Sequence, residues 1–258
     1  MGDHSAIEWT DATWNPVTGC TKISPGCKFC YAERLTRRWG RGDFGEIRTH
    51  PDRLSLPLRW REPRRIFVNS MSDLFHEKVP TRFIDEVFAV MRRADRHIFQ
   101  VLTKRPDRML QWQHETRATI PPYVWVGVSV ESADYLWRVD RLRSVDAPIR
   151  FVSAEPLLGP LSDLDLAGIA WLITGGESGG SEVRALVTRT SSGYHPKATA
   201  LAWVRELRDK CQREGVAFFH KQWGGPTPKA GGRILDRRKW EQSPRVGEQS
   251  LSLSLIHI

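Results

Sequence analysis

Short runs rich in β-branched and aromatic residues recur along the chain, at 14–18, 65–69, 97–103, 124–130, 149–153, 170–174 and 216–220. Several lack polar alternation, as strands buried on both faces do. Helical stretches lie between most of them. Phe83, Ile84, Val87, Phe88 and Met91 fall on one face at a period of 3.6. Leu136, Val139 and Leu142 repeat that pattern, as do Trp203, Val204, Leu207 and Cys211. Strands alternating with helices predict parallel βα units and an α/β fold.

The ends of these runs narrow the choice. They read Gly19-Cys20, Ser70-Met71-Ser72-Asp73, Thr103-Lys104-Arg105, Ser129-Val130-Glu131, Ser153-Ala154-Glu155, Gly175-Gly176-Glu177 and Lys221-Gln222-Trp223. A (β/α) barrel builds its active site from the C-terminal ends of its strands. A doubly wound sheet concentrates such residues near one switch point. The expectation is a full or partial (β/α) TIM-type barrel, one domain over 1–246. Residues 178–196 form the longest irregular insert, either a lid or a tolerated surface insertion. Residues 247–258 read as translated adapter or a shifted frame, a non-native or disordered tail, with a short strand as the alternative.

Three of the chain's four cysteines are bunched, at Cys20, Cys27 and Cys30. The spacing of Cys27 and Cys30 puts both sulfurs on one side of a helical turn. Cys20 returns over a loop in which Pro25 and Gly26 supply the turn chemistry. Three sulfurs meeting at a common point make a soft-metal site, with an iron–sulfur cluster favoured. Zinc is the alternative, because Cys-x2-Cys is half of a structural zinc motif. The other half is missing: Cys211 is single and sits on an apolar helix face, as a small core residue does.

These motifs resemble a known superfamily, the radical S-adenosylmethionine enzymes, in the two cysteines spaced by two with Phe29 just before the last. Ile7-Glu8-Trp9, Leu102-Thr103-Lys104-Arg105-Pro106, Ser153-Ala154-Glu155-Pro156, Gly175-Gly176-Glu177-Ser178-Gly179 and Lys221-Gln222-Trp223-Gly224-Gly225 are similar to a bacterial and phage-borne three-cysteine-motif family of unknown function, named after phage gene products. The resemblance implies a radical-SAM-like barrel. It implies a 4Fe–4S cluster on Cys20, Cys27 and Cys30, and S-adenosylmethionine cleaved to a 5′-deoxyadenosyl radical. Phe29 would pack near the adenine. Ser70, Ser72 and Asp73 are candidates for the methionine amino group, and Ser129 and Glu131 for ribose hydroxyls. Glu155, Gly175, Gly176 and Glu177 are further cofactor candidates. The six residues between Cys20 and Cys27 depart from the usual three, which leaves the reaction subtype open. Residues 187–198 also look long for the family.

Lys104, Arg105, Lys221 and Trp223 are candidates for holding a substrate, with surface charge as the alternative for the first two. His76 is read as a ligand, a proton donor or a satisfied core histidine. Trp9 and Trp223 are candidate stacking residues among 11 tryptophans. The net charge of +9 agrees with a polyanionic partner, a nucleic acid or nucleotide, or with a solvated basic surface. Arg34, Arg37, Arg38 and Arg41, and Arg59, Arg61, Arg64 and Arg65, cluster along the chain and leave the same two readings open. An electron-donor protein and a partner encoded nearby complete the expected partners. The cysteine usage is that of a reducing cytoplasm rather than a secreted disulfide scaffold. No signal peptide or membrane-length apolar run is read. Two other classes remain: a zinc-stabilised nucleic-acid-binding module without catalysis, and a cluster-bearing redox sensor.

Overall fold

The computed structural model describes residues 5–40, 42–179 and 184–244. Its elements in chain order are β1 (Ala12–Trp14), β2 (Val17–Thr18), α1 (Tyr31–Arg38), β3 (Arg48–Thr49), α2 (Leu56–Arg59), β4 (Arg65–Val68), α3 (Thr81–Arg93), β5 (Ile98–Thr103) and α4 (Pro106–Thr116). They continue with β6 (Val124–Ser129), α5 (Trp137–Arg143), β7 (Arg150–Ala154), β8 (Trp171–Gly175), β9 (Val187–Thr190), β10 (Gly193–Pro196), α6 (Ala198–Glu214) and β11 (Ala217–Gln222). Seven strands form one sheet in the order β1-β4-β5-β6-β7-β8-β11. Every neighbouring pair is parallel. The order follows the chain without reversal, so no switch point exists in it.

The two faces of the sheet are covered differently. Val68, Val101, Val126, Val152 and Phe218 pack with Ile84, Val87, Leu142, Val204 and Leu207 of the helices. The alternate residues Phe67, Trp125, Phe151, Trp171, Ile173 and Phe219 pack on each other and on Trp9. Trp171 meets the rings of Trp9, Trp125 and Phe219 edge-on at 5.7–6.1 Å, the favourable arrangement for aromatic quadrupoles. Gly127 makes room for this layer, since a Cβ there would come within 2.6 Å of the Phe151 ring. Helices on one face and a side-chain-filled interior on the other describe a partial barrel, not a doubly wound sheet.

The barrel is open. β1 and β11 are the sheet's two edges. The N–H of His220 donates to Trp240 O at 2.9 Å, and that of Gln242 to Phe218 O at 3.1 Å. The chain beyond β11 thus occupies the edge that closure would need.

Two expected boundaries shift. The run at 14–18 is two strands: β1 enters the main sheet, and β2 pairs antiparallel with β3. Pro16 breaks the ladder because it lacks an N–H. The Val17 N–H instead donates to Asn69 Oδ1 at 3.2 Å. The insert at 178–196 contains the antiparallel hairpin β9–β10, and residues 180–183 within it lie outside the described residues. So do Arg41 and the tail at 247–258. No helix among the described residues is long and apolar enough to cross a membrane.

Candidate functional site

The strands' C-terminal ends open into a cavity of about 1660 Å³ whose lining includes Cys27, Cys30, Ser70, Lys104, Glu155 and Lys221. The cysteine loop forms one wall. Gly19, at φ +88°, lets the chain turn out of β2 in a left-handed conformation; a Cβ would meet Glu46 O at 2.0 Å. The Cys20 N–H then donates to Phe44 O at 2.8 Å. Pro25–Cys27 make one 3-10 turn, and Cys30 is the N-cap of α1. Cys27 and Cys30 therefore do not share a helix, contrary to the spacing argument. A Cβ on Gly26 would approach the Glu131 side chain to 3.1 Å, so the loop rests on the residues following β6.

Arg105 ties this loop to the sheet. Its Nε donates to Glu77 Oε1 at 2.9 Å, and Nη1 to Asp73 Oδ2 at 3.1 Å. Nη1 also stands 3.6 Å from Cys20 Sγ, and Nη2 donates to Thr21 O at 3.2 Å and Thr21 Oγ1 at 3.0 Å. Burial, with the Asp73 carboxylate next in effect, pushes the Cys20 thiol up to about 11, and Arg105 opposes that rise. Cys27 Sγ lies 3.6 Å from Ser24 Oγ.

A single metal ion needs several donors within bonding distance of one point. Among the described residues no group of three or more His, Cys, Asp or Glu side chains is arranged to hold one. The sulfurs do not meet at a common point in that sense. An iron–sulfur cluster makes a different demand, because its thiolates can bind separate irons around a rim. Three half-buried thiols on one loop suit that donor chemistry better than a closed tetrahedral ion.

Several residues expected to bind a cofactor or substrate are committed to the protein instead. Asp73 accepts from Thr103 Oγ1 and the Phe75 N–H through Oδ1, and from the Lys104 N–H and Arg105 through Oδ2. That leaves little capacity for a methionine amino group. Arg105 is likewise an internal tie and not a grip for substrate. Glu131 is fully buried and pairs with buried Arg138 at 2.9 Å, so it does not reach ribose hydroxyls. Ser72 donates to Val17 O at 2.9 Å. Trp223 is buried, with its indole N–H on Ile234 O. Trp9 belongs to the interior aromatic layer and is 2% exposed, but unlike Trp223 it lines the cavity. At Gly176 a Cβ would strike Trp223 O at 2.0 Å; packing against β11 is what requires glycine there. At Gly175 a Cβ would press on Glu155 at 3.1 Å. His76 is a satisfied core histidine, accepting from the Lys78 N–H at Nδ1 and paired with Thr21 Oγ1 at Nε2. Cys211 is fully buried, and burial pushes its thiol up to about 12.

Other expected residues do line the cavity: Phe29, Ser129 and Glu177, besides those already named. Lys221 Nζ pairs with Glu155 Oε2 at 2.7 Å across the ends of β7 and β11. Glu177 pairs with Arg184 at 2.7 Å, yet burial holds its carboxyl above the ordinary value. Residue types alone did not single out Arg184, whose guanidinium stands 5.2 Å from the Phe29 ring and donates to Pro25 O. Arg34 similarly reaches Ser178 O and Gly179 O. These arginines join the loop after β8 to the cysteine loop. Tyr31 was also missed; its hydroxyl donates to Ser70 O and its side chain lines the cavity.

A search of curated proteins finds no match. Two solved structures of spore photoproduct lyase, one a point mutant and one complexed with dinucleoside spore photoproduct, are similar in part. Each gives a TM-score of 0.45 at 14% identity, over 80% of this chain and 74% of the other. A family described as protein of unknown function (DUF5131) matches residues 4–244, and the chain belongs to that family.

Proposed function

We propose that the chain is a radical S-adenosylmethionine-type enzyme in which Cys20, Cys27 and Cys30 hold a 4Fe–4S cluster. The observation that carries this reading is positional. A loop with three thiols follows β2, beside the first strand of a one-sided parallel sheet, and presents Cys27 and Cys30 to a cavity at that sheet's C-terminal end. When bound, the cluster and S-adenosylmethionine would supply one-electron cleavage of the sulfonium to a 5′-deoxyadenosyl radical. The chain's own residues hold and shield that chemistry. Arg105 fixes the Cys20 end of the loop, and Arg184 and Arg34 brace the opposite wall. Phe29, Phe67 and Leu102 give the cavity an apolar lining. Ser129, Glu155 and Glu177 are the polar groups left to orient a cofactor. Lys104 favours an anionic substrate, a nucleotide or nucleic acid, while the charge of Lys221 is already matched by Glu155. An electron-donor protein acting in a reducing cytoplasm belongs to the same reading.

Anaerobic reconstitution with iron and sulfide tests it. Brown protein that loses its iron in Cys27→Ala, and releases 5′-deoxyadenosine when reduced with S-adenosylmethionine, is the expected result. Colourless protein with stoichiometric zinc would replace the reading with a zinc-stabilised binding module. A loaded cluster without 5′-deoxyadenosine would leave a redox sensor.

A further inference from the structure

A guanidinium carries five N–H donors in a fixed fork, and in Arg105 each has an acceptor. Nε donates to Glu77 Oε1, and the two protons of Nη2 go to Thr21 O and Thr21 Oγ1. Nη1 is shared between Asp73 Oδ2 at 3.1 Å and Cys20 Sγ at 3.6 Å. The plane of the side chain is therefore fixed, and one of its donors faces a sulfur. Cys27, by contrast, meets a neutral hydroxyl, Ser24 Oγ, at 3.6 Å. Two carboxylates share the Arg105 charge. Asp73 is buried, whereas the Glu77 side chain is 64% exposed.

As a thiol, Cys20 donates its proton to Thr21 O at 3.5 Å. A metal-bound thiolate has no proton to give, and a bare carbonyl beside it would repel it. Arg105 answers both changes. Nη2 already holds the Thr21 carbonyl, and Nη1 offers the sulfur a donor. Hydrogen bonds to the sulfurs and net charge set the potential of an iron–sulfur cluster. A donor with a positive charge favours the reduced form, which holds one more electron. We infer that Arg105 sets the reduction potential of the cluster through its N–H on Cys20, and that Glu77 offsets part of its charge from the solvent side. This rests on the proposed reading of the three cysteines and adds to it a positioning residue for electron entry. In that step one electron passes from the external reductant to the cluster, and no bond forms or breaks.

The test is a redox titration of the reconstituted full chain. It follows the paramagnetic signal of the reduced cluster, with iron measured in each sample. Arg105→Lys keeps a charge but loses the fork that reaches the sulfur, and Arg105→Gln loses the charge as well. The potential is expected to fall in Arg105→Lys and further in Arg105→Gln. For the Gln variant the ratio of reduced to oxidised protein at a fixed potential should drop about tenfold, about 59 mV for one electron. Glu77→Gln should move the potential the other way, by less, and high salt should shrink that rise because Glu77 is exposed. A loop merely loosened by substitution would admit water in every variant and shift all three in one direction. Where the Arg105 variants hold too little iron to titrate, Glu77→Gln decides alone. Unchanged potentials in the loaded Arg105 variants, or an unchanged or lower potential in Glu77→Gln, would overturn the inference and leave the cluster reading standing. Wild-type protein that loads no iron would remove the cluster reading, and this inference with it.

Discussion

Arg105 directs its donors at four residues, and each contact can be removed separately. Arg105→Ala would leave the Asp73 carboxylate buried with its charge unmatched, since the two side chains are 5% and 8% exposed. Breaking a buried pair on one side costs about 3–5 kcal/mol, readable as a lower urea midpoint. Arg105→Lys keeps a charge near Asp73 but lacks the fork that reaches Thr21 and Cys20 together. Iron retained after reconstitution should therefore fall from wild type to the Lys variant to the Ala variant. Equal iron in all three would remove Arg105 from any account of the cysteine loop. The residue-scale lesson is one of partners. The strand-end sequence makes Asp73, Arg105 and Glu131 visible as charged groups at the right end of the sheet. It does not reveal that Thr103 and Glu77 bond to Asp73 and Arg105, or that Arg138 takes one oxygen of Glu131 and leaves Oε1 buried without a partner, because those bonds join different strand ends and loops.

At the scale of elements, the parallel strands were legible because burial on both faces removes polar residues from them. Helices α3, α5 and α6 were legible from their 3.6-residue period, whereas α1, α2 and α4 were not read from it. The hairpin β9–β10 was not, since its strands are short, mostly exposed and carry no apolar alternation. Nor does a sequence distinguish the two faces of a buried strand, and that difference makes this sheet a partial barrel. The interior face gives two tests. Gly127→Ala would drive a methyl into the Phe151 ring, and overpacking of this kind costs about 1–3 kcal/mol. Trp171→Ala would empty the centre of the aromatic layer and release the Gln242 carbonyl that its indole N–H holds at 2.8 Å. A loss of about 3–5 kcal/mol is expected. Both are read by chemical denaturation, with the larger effect from Trp171→Ala. If Gly127→Ala unfolds at the wild-type midpoint, the interior has slack and is not the filled layer described above.

At the scale of the whole molecule, stability should depend on pH through a histidine outside the cysteine site. His220 is fully buried on β11, bonded through Nδ1 to Thr174 Oγ1 at 2.9 Å and packed on the Trp223 ring at 4.4 Å. Burial first, and the nearby Arg233 charge second, push it down from its ordinary 6.5 to about 3. Above pH 6.5 the side chain is neutral in both the folded and the unfolded chain and contributes no pH dependence. Below 6.5 the unfolded chain takes up a proton that the folded chain refuses until about pH 3. The unfolded state then binds more protons, so stability falls as the pH falls. The slope from this one group is about 1.4 kcal/mol per pH unit. His220→Gln keeps a polar group near Thr174 but cannot take up that proton. It should be less stable than wild type at pH 8, where packing on Trp223 is weakened. Its deficit should then shrink on acidification, as wild type alone pays the histidine penalty. The net charge of +9 grows in both proteins alike and cancels from the comparison. Urea midpoints for the pair at several pH values between 8 and 4 measure the difference. A gap that stays constant across that range would mean that His220 exchanges protons freely in the folded state.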